Sequence, residues 1–260
     1  MGRRIDAALA GPPHMAQESL PANSAGEIGT LPEKILTFTA SIIDATKDPG
    51  GETGRDVHIR FVYGHTLAAY QTAKAYWVLR QAGEFYPGAI LGRALMESYF
   101  SIAAADVGPQ NSCGMIVTDI KKREKTLRLM REMLTNPASV ASIDARISEA
   151  AADRQIFEAL LTTGTTRDWT TFERAAAQGV QDIYRTAYAE LSEYAHANFR
   201  KLVEPMRNTE PFADLAALST PLHGAHCLYH AVNGAAEHPT CDAYWSLFED
   251  TQNWRGAAKS

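Results

Sequence analysis

Apolar residues recur at three- and four-residue spacing along the chain from Leu31 onward, which is the pattern of α-helices that bury one side. Glycine and proline interrupt this pattern and divide it into segments. The long segments are residues 31–46, 57–82, 88–107, 112–134, 139–161 and 180–206, and the shorter ones are 170–178, 212–218, 221–235 and 242–254. No segment alternates as a β-strand does. The sequence therefore predicts an all-α multi-helix bundle of about seven to nine helices, with long helices packed antiparallel.

The segment 88–107, GAILGRALMESYFSIAAADV, has apolar side chains on nearly every side of the predicted helix. This distribution predicts the central, buried helix of the bundle. Arg93 and Glu97 are the only charged residues between Glu84 and Asp106. Their four-residue spacing allows a simple intrahelical ion pair. Because buried charges cost free energy unless they are paired, we also expect partners on other helices, and a structural pair and a functional site both stay open.

A second polar set lies in the segment 180–206, where Tyr188, Ser192 and His196 follow one another at four-residue spacing. His196 falls at the edge of the apolar stripe of this helix. A histidine at such an edge is either a half-buried structural residue or a titrating group that faces a cleft. The chain has no G-x-S-x-G motif around Ser192, so a serine-hydrolase site is not predicted.

Together, the two sets resemble a family of uncharacterised bacterial all-α proteins with similarity to HEPN helical-bundle domains. The matching residues are Arg93 and Glu97 in GRALMES, followed by Tyr188, Ser192 and His196 in YAELSEYAH. The resemblance implies a bundle whose polar pocket binds a nucleotide or RNA. It also implies that a ribonuclease of this kind carries arginine and histidine in one short Arg-x4-6-His motif. This sequence departs from that motif, because Arg185 precedes His196 by eleven positions and Arg200 follows it. Only Arg93, on another helix, would supply the cation, which favours phosphate binding over cleavage.

A third candidate set is the row His223, His226 and His230, which lie on one face of the predicted helix 221–235. Imidazoles on adjacent turns can share a zinc ion, and three of them with one water would form a site of the catalytic type. No H-E-x-x-H or paired C-x2-C motif accompanies them. The alternative interpretation is that these are polar, half-buried histidines without a metal. The sequence predicts no cofactor other than this zinc ion.

The amino-acid composition restricts the classes of partner that we expect this protein to bind. With 45% hydrophobic and 21% charged residues the chain is typical of a globular protein, and no apolar run approaches the roughly 20 residues of a membrane span. A net charge of −5 argues against a broad basic surface for duplex DNA. A small anionic ligand, a nucleotide or RNA stays open as a partner, and so does a homo-oligomer, because Trp245 and Trp254 are candidates for exposed contacts. Lys121–Lys125, KKREK, predicts solvated surface.

The organisation of the chain follows from the same patterns. Residues 1–30 lack periodicity and predict a disordered N-terminal arm. Residues 31–260 predict one helical domain, with a bundle core at 31–206 and a C-terminal helical extension at 207–260. Three cysteines without framework spacing predict reduced thiols and a cytoplasmic protein.

Three functions are consistent with these residues. The leading hypothesis is nucleotide or RNA binding in a pocket formed by Arg93, Glu97 and His196, with metal-independent phosphodiester cleavage. The second is a noncatalytic interaction protein in which the same residues form a structural network. The third is a metal-dependent hydrolase that uses the histidine row.

Overall fold

The computed structural model describes residues 30–46, 53–161, 168–195, 210–234 and 239–254. These ranges contain nine helices and no strand, which confirms the all-α prediction. The helices are α1 (Leu31–Ala45), α2 (Gly54–Gln81), α3 (Phe85–Asp106), α4 (Pro109–Met133), α5 (Pro137–Ala159), α6 (Thr171–Ala177), α7 (181–195), α8 (Glu210–Asn233) and α9 (Pro239–Asn253). Over the described ranges, none of the helices combines the length and the apolar character that a membrane span requires.

Local signals in the sequence fix several helix ends. Thr53 precedes α2 and accepts a hydrogen bond from the backbone N–H of Asp56, while the carboxylate of Asp56 accepts one from the backbone N–H of Thr53. Such reciprocal capping satisfies donors that a helix leaves unpaired at its start. Gly83, with φ of 77°, ends α2 in the left-handed region that glycine adopts without strain. The short link that follows turns the chain, so that α3 packs back along α2.

Helix α3 lies at the centre of the bundle, as predicted. Leu95, Phe100 and Ile102 are fully buried, and α2, α4, α6, α7 and α8 all pack against α3. The contact between α3 and α8 is close because it uses small residues. A Cβ atom added to Gly92 would lie 2.8 Å from the Cβ atom of Ala213 in α8.

Helix α8 corrects one prediction. The sequence indicated two separate helices, 212–218 and 221–235, with Pro221 at the start of the second. In the structure Pro221 lies inside one continuous helix. A proline within a helix removes one backbone hydrogen bond, but α8 packs against α1, α2 and α3 along its length, and this burial outweighs the lost bond. The helix falls within the region assigned to a C-terminal extension, and that division of the domain stays a prediction.

Buried ion pairs connect helices at two places. Glu124 in α4 has only 6% of its side chain exposed and pairs with Arg128 at 3.2 Å and with Arg154 of α5 at 3.1 Å. The prediction of a solvated KKREK segment is therefore wrong at Glu124. On the other side of the bundle, the buried carboxylate of Asp214 in α8 accepts hydrogen bonds from the hydroxyl of Tyr76 and the guanidinium of Arg80.

Candidate functional site

Arg93, Glu97 and Tyr188 form a hydrogen-bonded network between α3 and α7. The Nε atom of Arg93 donates to Oε1 of Glu97 at 3.2 Å, and the Tyr188 hydroxyl donates to the same oxygen at 2.9 Å. The Nη2 atom of Arg93 lies 3.5 Å from the Tyr188 hydroxyl, and the guanidinium carbon lies 5.6 Å from the centre of the Tyr188 ring. The helix spacing of four residues brings the pair together, and α7 supplies the third member.

The network lies at the boundary between the core and the surface, because Tyr188 is buried and the charged pair is only partly so. The side chains of Arg93 and Glu97 keep 23% and 45% of their area exposed. The charged pair is therefore partly rather than fully buried, and Tyr188 is the partner on another helix that the sequence led us to expect. Burial alone would lower the pKa of Arg93, but the hydrogen bond to Tyr188 and the charge of Glu97 outweigh it and raise that pKa. The guanidinium therefore stays charged and in contact with solvent.

The segment of α7 that carries Tyr188 is a π-helix, Tyr184–Tyr188. Single π-helical turns within α-helices occur frequently at functional sites. Here the turn places the rings of Tyr184 and Tyr188 in a stack, with 4.9 Å between their centres. The ring of Phe100 in the core packs against both of them.

Two further predicted residues follow Tyr188 along the chain. Ser192 lies one turn later, and its buried Oγ atom has no hydrogen-bond partner among the described residues. His196 lies outside the described residues, so its predicted approach to Arg93 and Glu97 stays a prediction.

The histidine row does not form a metal site in the described part of the chain, where no group of three His, Cys, Asp or Glu residues could hold an ion. His223 lies beside the Cys227 thiol, with Nε2 at 3.5 Å from Sγ. The ring of His226 stacks on Tyr244, with 4.0 Å between the ring centres. Burial lowers the pKa of His226 to about 4, and the charge of His230 adds to this effect. His223 and His226 pack against neighbouring side chains, and metal binding by the row stays a prediction.

The structure adds a polar cluster that sequence reasoning missed. The guanidinium of Arg174 in α6 donates to Oγ of Ser101 in α3 at 2.8 Å and to Oδ1 of Asp119 in α4 at 2.8 Å. It also donates to the backbone carbonyl of Trp169 at 3.3 Å. The charges of Arg174 and Asp119 act on the imidazole of His65 in α2. Ser101 follows Glu97 by one turn, so this cluster continues the polar row of α3 that begins at Arg93.

His65 in α2 is a partly buried imidazole near this cluster. Burial lowers the pKa of His65 to about 4, with a further contribution from the charge of Arg174 and an opposing one from Asp119. The imidazole is therefore neutral near neutral pH, and burial disfavours its protonation.

The shifted pKa of His65 predicts a pH dependence of stability. A histidine whose pKa is 6.5 when unfolded and about 4 when folded binds fewer protons in the folded state. Its contribution is fully present above the unfolded pKa and is lost as the pH falls through the folded pKa. As the pH falls through this range, we expect the free energy of unfolding to decrease by about 2 to 3 kcal/mol less in His65→Gln than in the wild type. Urea unfolding at several pH values measures the difference. Equal losses in both proteins would contradict the assignment.

Comparison with known proteins identifies a family but no characterised relative. No curated protein matches the sequence, and no solved structure matches it. Residues 60–212 match the model of a family of unknown function, DUF5677. This range includes His65, the network of Arg93, Glu97 and Tyr188, and the cluster around Arg174, whereas the histidine row lies beyond it. Because the match spans more than half of the chain, the protein belongs to the DUF5677 family.

Proposed function

We propose that the protein binds a nucleotide or RNA through the surface formed by Arg93, Glu97 and Tyr188. The supporting observation is that Arg93 and Glu97 keep part of their side chains exposed to solvent, with the charged guanidinium placed beside the ring of buried Tyr188 at a π-helical turn. A guanidinium suits phosphate because its planar donors match two phosphate oxygens. Glu97 fixes the direction of the guanidinium by accepting its Nε–H.

The proposal includes cleavage of the bound RNA by a histidine. His196 is the candidate acid or base from the sequence. His65 is a second candidate: burial lowers its pKa to about 4, which leaves it neutral but makes it a weaker base than an ordinary histidine. The base removes the proton from a ribose 2′-hydroxyl, whose oxygen attacks the adjacent phosphorus. The bond from phosphorus to the 5′-oxygen then breaks, and the leaving oxygen takes a proton, so that a cyclic phosphate and a 5′-hydroxyl form.

The test uses labelled RNA and a nucleoside monophosphate with purified wild-type and variant proteins. We expect Arg93→Met to weaken the binding of both ligands at least about tenfold, because it removes the charge and keeps the length of the side chain. Arg131→Met is the matched control, since Arg131 pairs with Asp144 at an exposed position on α4. Equal binding by the Arg93 variant and the wild type would refute the proposed site. Cleavage that survives in both His196→Ala and His65→Ala would refute the catalytic part.

A noncatalytic interaction protein is the second candidate. It is favoured by the closure of the network, in which Glu97 accepts from both Arg93 and Tyr188 and thereby joins α3 to α7. In that case Arg93→Met and Glu97→Gln would lower the melting temperature and leave ligand binding at the level of the wild type. A melting curve for each variant, recorded beside the binding assay, separates the two functions.

The proposed setting is the bacterial cytoplasm, and a homo-oligomer is the proposed assembly. Trp245 supports an intermolecular contact because 53% of its surface is exposed. Trp254 does not support it, since its ring packs against Trp77 within the same chain, with 6.0 Å between the ring centres.

A further inference from the structure

A row of three aromatic rings with a cation at each end lies across α6, α7 and α3. Its members, which we call the aromatic ladder, are Arg185, Phe172, Tyr184, Tyr188 and Arg93. The guanidinium of Arg185 lies 5.9 Å from the centre of the Phe172 ring, and the Tyr184 ring lies 5.4 Å from Phe172. Tyr184 stacks on Tyr188 at 4.9 Å, and the Arg93 guanidinium lies 5.6 Å from the Tyr188 ring. Each ring therefore touches the next, and a cation stands at each end.

The end of the ladder at Phe172 and Arg185 is open to solvent, the Arg93 side chain at the other end is 23% exposed, and the middle is anchored in the core. Phe172 has 37% of its surface exposed, and the side chain of Arg185 has 65% exposed. Tyr188 has only 8% exposed and packs on Phe100. Phe172 keeps more than a third of its surface exposed beside its contact with Tyr184, so the row extends outward from the core to Phe172 and Arg185.

We propose that the aromatic ladder is a binding platform for single-stranded RNA, with bases stacked on Phe172 and Tyr184 and phosphates held by Arg185 and Arg93. This inference rests on the proposed function, and it names the ligand of that function as a single strand longer than one nucleotide. Aromatic rings interleaved with cations are the common means by which proteins bind single strands without reading their sequence.

Several features distinguish this ligand from the alternatives. A lone nucleotide would occupy only one end of the ladder, since the two cations are separated by three rings. Bases in a duplex are already stacked on one another and cannot reach a ring on the protein surface. The net charge of −5 also disfavours a broad contact with duplex phosphates. A few local cations beside aromatic rings are sufficient for a short single strand.

Acidic side chains near the ladder compete with phosphate for its two arginines. Glu97 holds Arg93, and Asp182 lies 3.8 Å from Arg185 with 96% of its side chain exposed. An exposed pair of this kind is worth little in free energy, so a phosphate can replace Asp182 as the partner of Arg185. Binding through such contacts weakens as the salt concentration rises.

The test measures the anisotropy of labelled RNA with wild-type protein and with Phe172→Leu. We expect the variant to bind a single strand of about eight nucleotides roughly tenfold more weakly, because base stacking on the ring is lost. Its affinity for a nucleoside monophosphate should stay at the wild-type level, since Arg93 is intact. Arg185→Gln should weaken binding of the single strand and make it less sensitive to salt.

Phe85→Leu is the matched control. Phe85 is 36% exposed and has the Arg80 guanidinium 5.2 Å from its ring centre, but it lies outside the ladder. Equal affinity of the wild type and Phe172→Leu for the single strand would overturn the proposal, as would tighter binding of duplex than of single-stranded RNA. If the single strand binds no more tightly than the nucleoside monophosphate, the ladder proposal fails and the proposed function stands. If Arg93→Met binds both ligands like the wild type, the proposed function fails.

Discussion

The Asp214→Ala variant is expected to unfold with a free energy about 2 to 4 kcal/mol below that of the wild type. Asp214 is 3% exposed, and its carboxylate accepts hydrogen bonds from Tyr76 and Arg80. Its removal leaves the hydroxyl of Tyr76, a residue that is itself only 2% exposed, without this acceptor, and it removes the countercharge beside Arg80. The interactions that Tyr76 and Arg80 lose outweigh any free energy gained by replacing the carboxylate with a methyl group. Urea unfolding, followed by circular dichroism, measures the difference.

Asp144→Ala is the control for this variant. The pair between Asp144 and Arg131 is shorter, at 2.7 Å, but both side chains are about half exposed. An exposed pair is worth about 1 kcal/mol or less, because water and salt replace its interaction. We therefore expect a small loss in spite of the shorter distance. A loss at Asp144 as large as that at Asp214 would show that burial does not determine the value of these pairs.

Gly92→Ala is expected to lower the free energy of unfolding by about 1 to 3 kcal/mol. The added Cβ atom would lie 2.8 Å from the Cβ atom of Ala213 and 3.1 Å from its Cα atom. The second of these is a backbone atom and cannot rotate away, so α3 and α8 must move apart. Because Gly92 precedes Arg93, the same movement would also displace the network that Arg93 forms with Glu97.

Gly64→Ala, the same substitution at another position, is expected to raise the free energy of unfolding. Gly64 lies within α2, and an added Cβ atom there meets no other atom within 4 Å. Alanine in an open helical position stabilises by about 0.5 to 1 kcal/mol relative to glycine. Thermal unfolding of the two variants should therefore shift in opposite directions. A shift of the same sign in both would contradict the close contact between α3 and α8.

The helices were predictable because their signals are local. Apolar spacing located the central helix, and Gly83 marked the end of α2. Pro221 misled the prediction because a helix buried on several sides tolerates a proline that a local rule treats as a break. The merging of two predicted helices into α8 thus reflects tertiary packing, which spacing does not record.

The site was only partly predictable for the same reason. Arg93 and Glu97 were identified because their charges stand out in an apolar segment, and Tyr188 because of its spacing from Ser192. Their exposure depends on how much of α3 the later helix α7 covers, and no pattern within α3 contains that information. Arg174 and Asp119 are far apart in the sequence, so their contact appears only in the folded chain.

The π-helical turn of α7 has a consequence for comparing relatives. Such a turn is in effect an α-helix with one residue inserted, and loss of that residue would rotate everything after it by about 100°. Tyr184 would then separate from the residues that follow it, while Leu191 would leave its place beside Gly92. A one-residue gap between positions 184 and 188 in an aligned relative would therefore mark a protein whose α7 presents a different surface, even where every other residue is identical.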